Sequence, residues 1–267
     1  MKSKLTLNKL TLRSLTVALL AIGQGASADT RVQIPVIPEN TQVFNALVIR
    51  HGCDNPVTGT TSTPVFGQSV VFPNLVDSII STKAVGSDPT APANPYAGGI
   101  SDFLQISKLP INKIQSKDVF AIENQKLDSL GNVIGFWGGN GNLPGVNYIG
   151  LNPFVTGAIP IQPASCAVSV TFVLGIVDVC KMTNLSGFTT ETVNMWTPAV
   201  GSNYDGTADT NDGYDSPATL KVTRNLTANP LPASCGAGVE VTVTPSAAQL
   251  NRDFPVLING IQAWPLP

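Results

Sequence analysis

The sequence predicts an all-β protein: a β-sandwich with long loops and one or two short helices. Three observations carry this. Short runs rich in Val, Ile, Thr and Phe recur along the chain, each bounded by Pro, Gly, Asn or Ser. Turn formers are abundant, with 24 Gly and 21 Pro in 267 residues. Charged residues make up only 12% of the chain, too few to coat long amphipathic helices. The 43% hydrophobic content separates the chain from disordered sequences.

The first 28 residues read as a signal peptide. Lys2, Lys4, Lys9 and Arg13 form a cationic stretch, an apolar run follows over residues 15–22, and Ala26 and Ala28 stand where a signal peptidase reads small residues. The apolar run is far shorter than the ~20 residues that span a bilayer. Cleavage near Ala28 makes Asp29 the new terminus and places the protein in the periplasm, or secreted and at the cell surface. It removes four of the 15 basic residues and none of the 17 acidic ones, so the formal net charge moves from −2 to −6. An acidic chain with scattered cations offers nothing to track a phosphate backbone, which excludes nucleic acid as a partner. No later apolar run reaches spanning length, so no membrane span is expected. Residues 29–267 are expected to form a single large β-sandwich domain, with any sub-boundary near 100–145.

Strands are expected over residues 41–51, 64–72, 76–82, 132–137, 168–179, 190–196, 218–224, 239–243 and 256–261. Ser116 reads as the cap of a helix over 117–130 that stops at Gly131. Residues 246–252, after Pro245, read as a single helical turn. Loops are expected over 86–99, 138–142 and 200–216.

Four cysteines, Cys53, Cys166, Cys180 and Cys235, read as two disulfides in an oxidising compartment. Spacing alone leaves all three pairings open. A chain reversal near Leu174 and Gly175 would join Cys166 to Cys180 across a hairpin and leave Cys53 for Cys235, and this pairing is favoured. No C-x-x-C is present to suggest a zinc or redox site.

His51-Gly52-Cys53 is the most distinctive local feature. It ends an apolar run, follows Ile37-Pro38-Glu39-Asn40-Thr41, and precedes a second run, residues 69–73, that ends in Pro73. Over about residues 32–75 this order resembles the YcnI-like family of secreted bacterial domains. The resemblance implies a β-sandwich associated with copper handling, with His51 as the residue to watch. That family's copper site uses a histidine at the mature N-terminus together with a tryptophan. Here the expected terminus is Asp29 and His51 is the sole histidine, so the terminal ligand has no counterpart. Copper(II) sites want two or more imidazole, amine or thiolate donors.

A second metal candidate is the acidic loop of Asp205, Asp209, Asn211, Asp212 and Asp215. Alternating oxygen ligands on a Gly-turned loop suit calcium, although the spacing departs from an EF-hand and an ordinary hydrophilic turn has the same composition. Trp137, Trp196 and Trp264 read as core anchors, with a face for sugars or hydrophobic ligands as the other reading. Nucleophile-elbow, zinc-protease, P-loop and dinucleotide motifs are absent from the sequence. These readings converge on a non-enzymatic extracytoplasmic β domain binding copper or a related ligand, with a metal ion or a cell-surface component as its partner. The alternative is a structural or adhesive cell-surface protein without a small-molecule site.

Overall fold

The fold is that of a computed structural model, which describes residues 30–53, 63–141, 143, 148–196, 201–205 and 218–267. Strands run in chain order from β1 (Arg31–Val32), β2 (Val36–Pro38) and β3 (Val43–Ile49) to β4 (Gly67–Val71), β5 (Ile79–Ala84) and β6 (Asn94–Pro95). Next come β7 (Ile111–Lys113), β8 (Phe120–Leu127), β9 (Val133–Gly141) and β10 (Gly150–Thr156). The second half holds β11 (Ala167–Val173), β12 (Gly175–Val179), β13 (Val193–Trp196), β14 (Thr219–Thr223) and β15 (Val239–Thr244). Helix α1 (Ala247–Asp253) and the hairpin β16 (Val256–Ile258) and β17 (Ile261–Trp264) close the chain.

The strands form three larger sheets, ordered β1-β3-β10-β7, β2-β14-β11-β15-β5-β6 and β13-β12-β4-β9-β8. The all-β expectation therefore holds, with sheets layered on shared cores. Phe72, Phe136 and Phe154 pack with ring centroids 5.6 to 6.0 Å apart in the main core, which residues of all three sheets enter. A second core lies on the other face of the β13-β12-β4-β9-β8 sheet, under α1 and the β16–β17 hairpin. That sheet is thus a middle layer. On β4, Val70 belongs to the first core and Val71 to the second. Both β4 and β12 are buried at every position, as expected for strands covered on both faces.

Three expectations are corrected. Residues 117–130 are not a helix: Phe120–Leu127 is strand β8, paired antiparallel with β9. Gly131, read as the helix stop, instead sits in the β8–β9 turn. Asp128 accepts from the backbone N–H of Leu130 and Asn132, and Gly131 takes φ 79°. Pairing with β9 overrides the helix propensity of residues such as Ala121, Glu123 and Gln125.

Residues 138–142 are not simply a loop tip, because residues 138 to 141 belong to β9. The glycines permit close approach there. A Cβ on Gly138 would stand 2.5 Å from the Phe120 ring, and one on Gly141 would stand 2.4 Å from Val65 O.

The favoured disulfide pairing is also wrong. The bridges are Cys53–Cys180 and Cys166–Cys235. Residues 168–179 do not fold back as a hairpin. The chain crosses at Leu174 from β11, flanked by β14 and β15, to β12, flanked by β13 and β4. Cys166 and Cys180 therefore lie at the far ends of two strands in different sheets.

The helical turn after Pro245 is present as α1, capped by Ser246 Oγ, which accepts from Gln249 N at 3.0 Å. Among the described residues, no helix is long and apolar enough to cross a membrane.

Candidate functional site

The His-Gly-Cys segment follows β3. A Cβ on Gly52 would fall 1.8 Å from Thr63 O, so only glycine lets residues 52 and 63 pass this closely. Cys53 is fully buried and bonded to Cys180, which immediately follows β12. The bridge thus ties the end of β3 to the middle sheet. His51 is half-buried, and its Nδ1 hydrogen-bonds to Gly52 O. Since a carbonyl only accepts, the His51 ring is the donor in this bond.

Beneath this segment runs a chain of buried polar groups that sequence reading missed. Thr30 Oγ1 donates to Asp178 Oδ2 at 2.6 Å, and Gln68 Nε2 donates to Asp178 Oδ1 at 2.6 Å. Asn152 Nδ2 donates to Gln68 Oε1, also at 2.6 Å. Burial pushes the Asp178 carboxyl up to about 6, while its two donors and the His51 charge pull the other way. One signal was legible: Asp178 is a lone acid inside the apolar run 176–179.

Glu39, from the Pro-Glu-Asn-Thr run, is likewise a structural residue. Its carboxylate accepts from Asn225 N, Ile161 N and Asn229 Nδ2. Arg224 holds the same region by donating to the carbonyls of Ser165, Pro163 and Pro230.

Among the described residues, His51 has no second imidazole or thiolate beside it for copper(II). His51 is the sole imidazole of the chain, and no cysteine is free to act as a thiolate. Met195 is buried in the second core. Among the described residues, no three His, Cys, Asp or Glu side chains cluster to hold a metal. Of the calcium candidates, Asp205 is in a turn, where its Oδ2 accepts from Gly201 N at 2.8 Å. Asp209, Asn211, Asp212 and Asp215 lie outside the described residues.

A different place has the shape of a ligand site. Between the middle sheet and the C-terminal hairpin lies a cavity of about 220 Å³. Trp137 of β9 and Val179 of β12 line the sheet side, and Val256, Ile258 and Trp264 line the hairpin side. Ile122 and Met182, both more than 40% exposed, stand among its lining residues. Among the described residues, no ionisable side chain lines it, and Gln68 and Asn140 are the polar side chains there. Gln68 already spends its amide on Asp178 and Asn152.

Compared with known proteins, the chain matches no family model, no curated protein and no solved structure. The site is therefore described by its own geometry.

Its walls are rigid. Trp264 stacks on Phe188 with centroids 5.4 Å apart and meets Phe254 edge-on at 6.4 Å. Lys126 fixes the start of the hairpin by donating from Nζ to Asp253 O, Phe254 O and Pro255 O at 2.7, 3.2 and 2.6 Å. Burial draws this ammonium down to about 7, against the attraction of Asp253. Trp137 and Trp264 are thus core anchors, as one sequence reading had them, and also walls of a cavity. Trp196 is buried in the main core.

Proposed function

We propose that this chain is a non-enzymatic extracytoplasmic β domain that binds an apolar ligand between its middle sheet and its C-terminal hairpin. The observation that carries the reading is the cavity walled by Trp137 and Trp264. Its volume suits a small molecule: an apolar cavity of roughly 150 Å³ takes up benzene. Its lining offers hydrophobic contact with few polar groups, the usual character of a binding pocket. Among its described lining residues none is an acid, a base or a nucleophile, in keeping with a binding role. The two disulfides support export to an oxidising compartment, in keeping with the leader-like first 28 residues.

Fluorescence of N-phenylnaphthylamine, a neutral dye that brightens in apolar surroundings, tests the reading. The wild-type chain should enhance it saturably. Gly139→Leu should abolish the enhancement by filling the cavity. A Cβ at Gly139 meets only Trp137 Cζ3, at 3.8 Å, an ordinary contact, so this variant should keep its thermal midpoint within about 3 °C. Equal enhancement by both proteins would refute the site.

A further inference from the structure

The sheet side of the cavity has a floor bare of side chains. Gly67 of β4 stands opposite Val179 of β12, and Gly139 of β9 stands opposite Ile122 of β8. The Gln68–Gly138 pair between β4 and β9 brings Gly67 beside Gly139: a Cβ on Gly67 would stand 3.9 Å from Gly139 Cα. Residues opposite each other on neighbouring strands project from the same face. Val179, Gly67, Gly139 and Ile122 therefore form one row across four strands, and all four line the cavity. The two middle positions carry no side chain, so the row is a trough between its end residues. Trp137, two positions before Gly139 on β9, flanks it, and Val256, Ile258 and Trp264 of the hairpin face it.

Length comes from the strand spacing. The row spans three inter-strand steps, about 14 Å. An extended hydrocarbon chain advances roughly 1.25 Å per bond, from a C–C length of about 1.5 Å in a tetrahedral zigzag, so about twelve carbons reach from end to end. The ends differ in exposure. Val179 is 3% exposed, whereas Ile122, on the edge strand of the sheet, is 46% exposed. Volume agrees with length. With benzene in roughly 150 Å³ as the scale, a cavity of about 220 Å³ encloses about nine carbons. The remaining carbons of a chain of trough length lie along the open end, where Ile122 is otherwise an apolar side chain left in water.

We infer that the ligand is a single-chain amphiphile, whose unbranched hydrocarbon tail lies across the strands in this trough and whose polar head stays in water at the β8 edge. The inference rests on the proposed binding role of this cavity and names the class of molecule it takes. The tail end lies at Val179, under the hairpin. An ionised group buried there would find no countercharge among the described lining residues, which fixes the head at the open end. A compact ring system with the same number of carbons cannot reach both ends of the row, so it forfeits contacts that the chain makes.

Straight-chain carboxylates, kept below the concentrations at which they form micelles, are titrated against dye bound to the full chain. From hexanoate to decanoate, affinity should rise about fourfold per added methylene, the transfer value of a buried CH₂. From dodecanoate to tetradecanoate, past the end of the row, it should level off. 1-Adamantanecarboxylate packs the same number of carbons as undecanoate, with the same head, into a compact cage, and should bind at least about tenfold more weakly. Ile122→Ser, at the open end, should weaken undecanoate about fivefold and leave octanoate unchanged. Equal affinity for undecanoate and the cage would overturn the inference, and so would affinity independent of chain length. These wild-type comparisons stand even if Ile122→Ser fails to fold. Equal weakening of octanoate and undecanoate by Ile122→Ser would contradict the placing of the head at the β8 edge. Dye binding that persists without these preferences would remove the ligand class and leave the binding role intact. Loss of dye binding itself would remove both.

Discussion

Burial holds the Asp178 carboxyl up at about 6, so this residue works against folding once it ionises. Its proton is bound more tightly in the folded chain than in the unfolded one, where the ordinary value is 3.8. Stability from this group is therefore complete below about pH 4 and lost as the pH rises through about 6. The loss amounts to about 3 kcal/mol. Asp178→Asn removes the charge and keeps both partners, since its oxygen accepts from Gln68 and its amide donates to Thr30. The variant should be more stable than wild type by about 1 to 3 kcal/mol at pH 8. It should also lack the wild-type decline between pH 4 and 6. Urea unfolding across that range checks this, and a variant less stable at pH 8 would show that the carboxylate is favourably held. In the sequence Asp178 shows only as a lone acid in an apolar run, and its partners Gln68 and Asn152 carry no signal, because a buried polar chain is assembled from three strands with no shared motif. His51-Gly52-Cys53 did stand out. The structure accounts for it through the close pass at Gly52, the bridge at Cys53 and the pinned ring of His51.

At the scale of elements, the C-terminal hairpin depends on Lys126. Its three N–H groups serve three successive carbonyls where α1 ends and β16 begins. Lys126→Met keeps the apolar stem and deletes the donors. Phe254 O retains Ser69 Oγ, but the carbonyls of Asp253 and Pro255 lose this bond. The variant should lose about 2 to 4 kcal/mol in urea unfolding, and an unchanged midpoint would show that the hairpin holds without this lysine. Most strands were legible where β-branched residues run between breakers, as in β3, β4, β14 and β15. β8 was misread because Ser116 reads as a helix cap and Gly131 as a helix stop, and only the pairing with β9 makes Gly131 part of a hairpin turn. β10 went unseen because Pro153 sits inside it. The proline is tolerated because β7 pairs with β10 only from Phe154 onward. The crossing at Leu174 was invisible because each half of that run is an equally good strand.

At the scale of the whole molecule, the two bridges staple different layers. Cys53–Cys180 closes a sequence separation of 127 residues and Cys166–Cys235 one of 69. In a chain-entropy account each contributes about 4 to 5 kcal/mol by limiting the unfolded ensemble. Cys53–Cys180 ties the end of β3 to the middle sheet, whereas Cys166–Cys235 joins the segments that lead into β11 and β15, neighbours within the six-stranded sheet. The middle sheet and the hairpin form the cavity. The tryptophans were legible as large apolar residues, but not as walls. Trp137 and Trp264 are 127 positions apart in the sequence and meet only through the packing of β17 over β9. Sequence pointed to His51 for function, whereas the proposed site is a cavity whose described lining holds no ionisable side chain. The indole N–H resonances of Trp137, Trp196 and Trp264 report on that cavity directly. Titration with N-phenylnaphthylamine should shift the Trp137 and Trp264 resonances by ring current and leave Trp196, in the main core, in place. Trp137 and Trp264 resonances that both stay fixed at saturating dye would contradict the account.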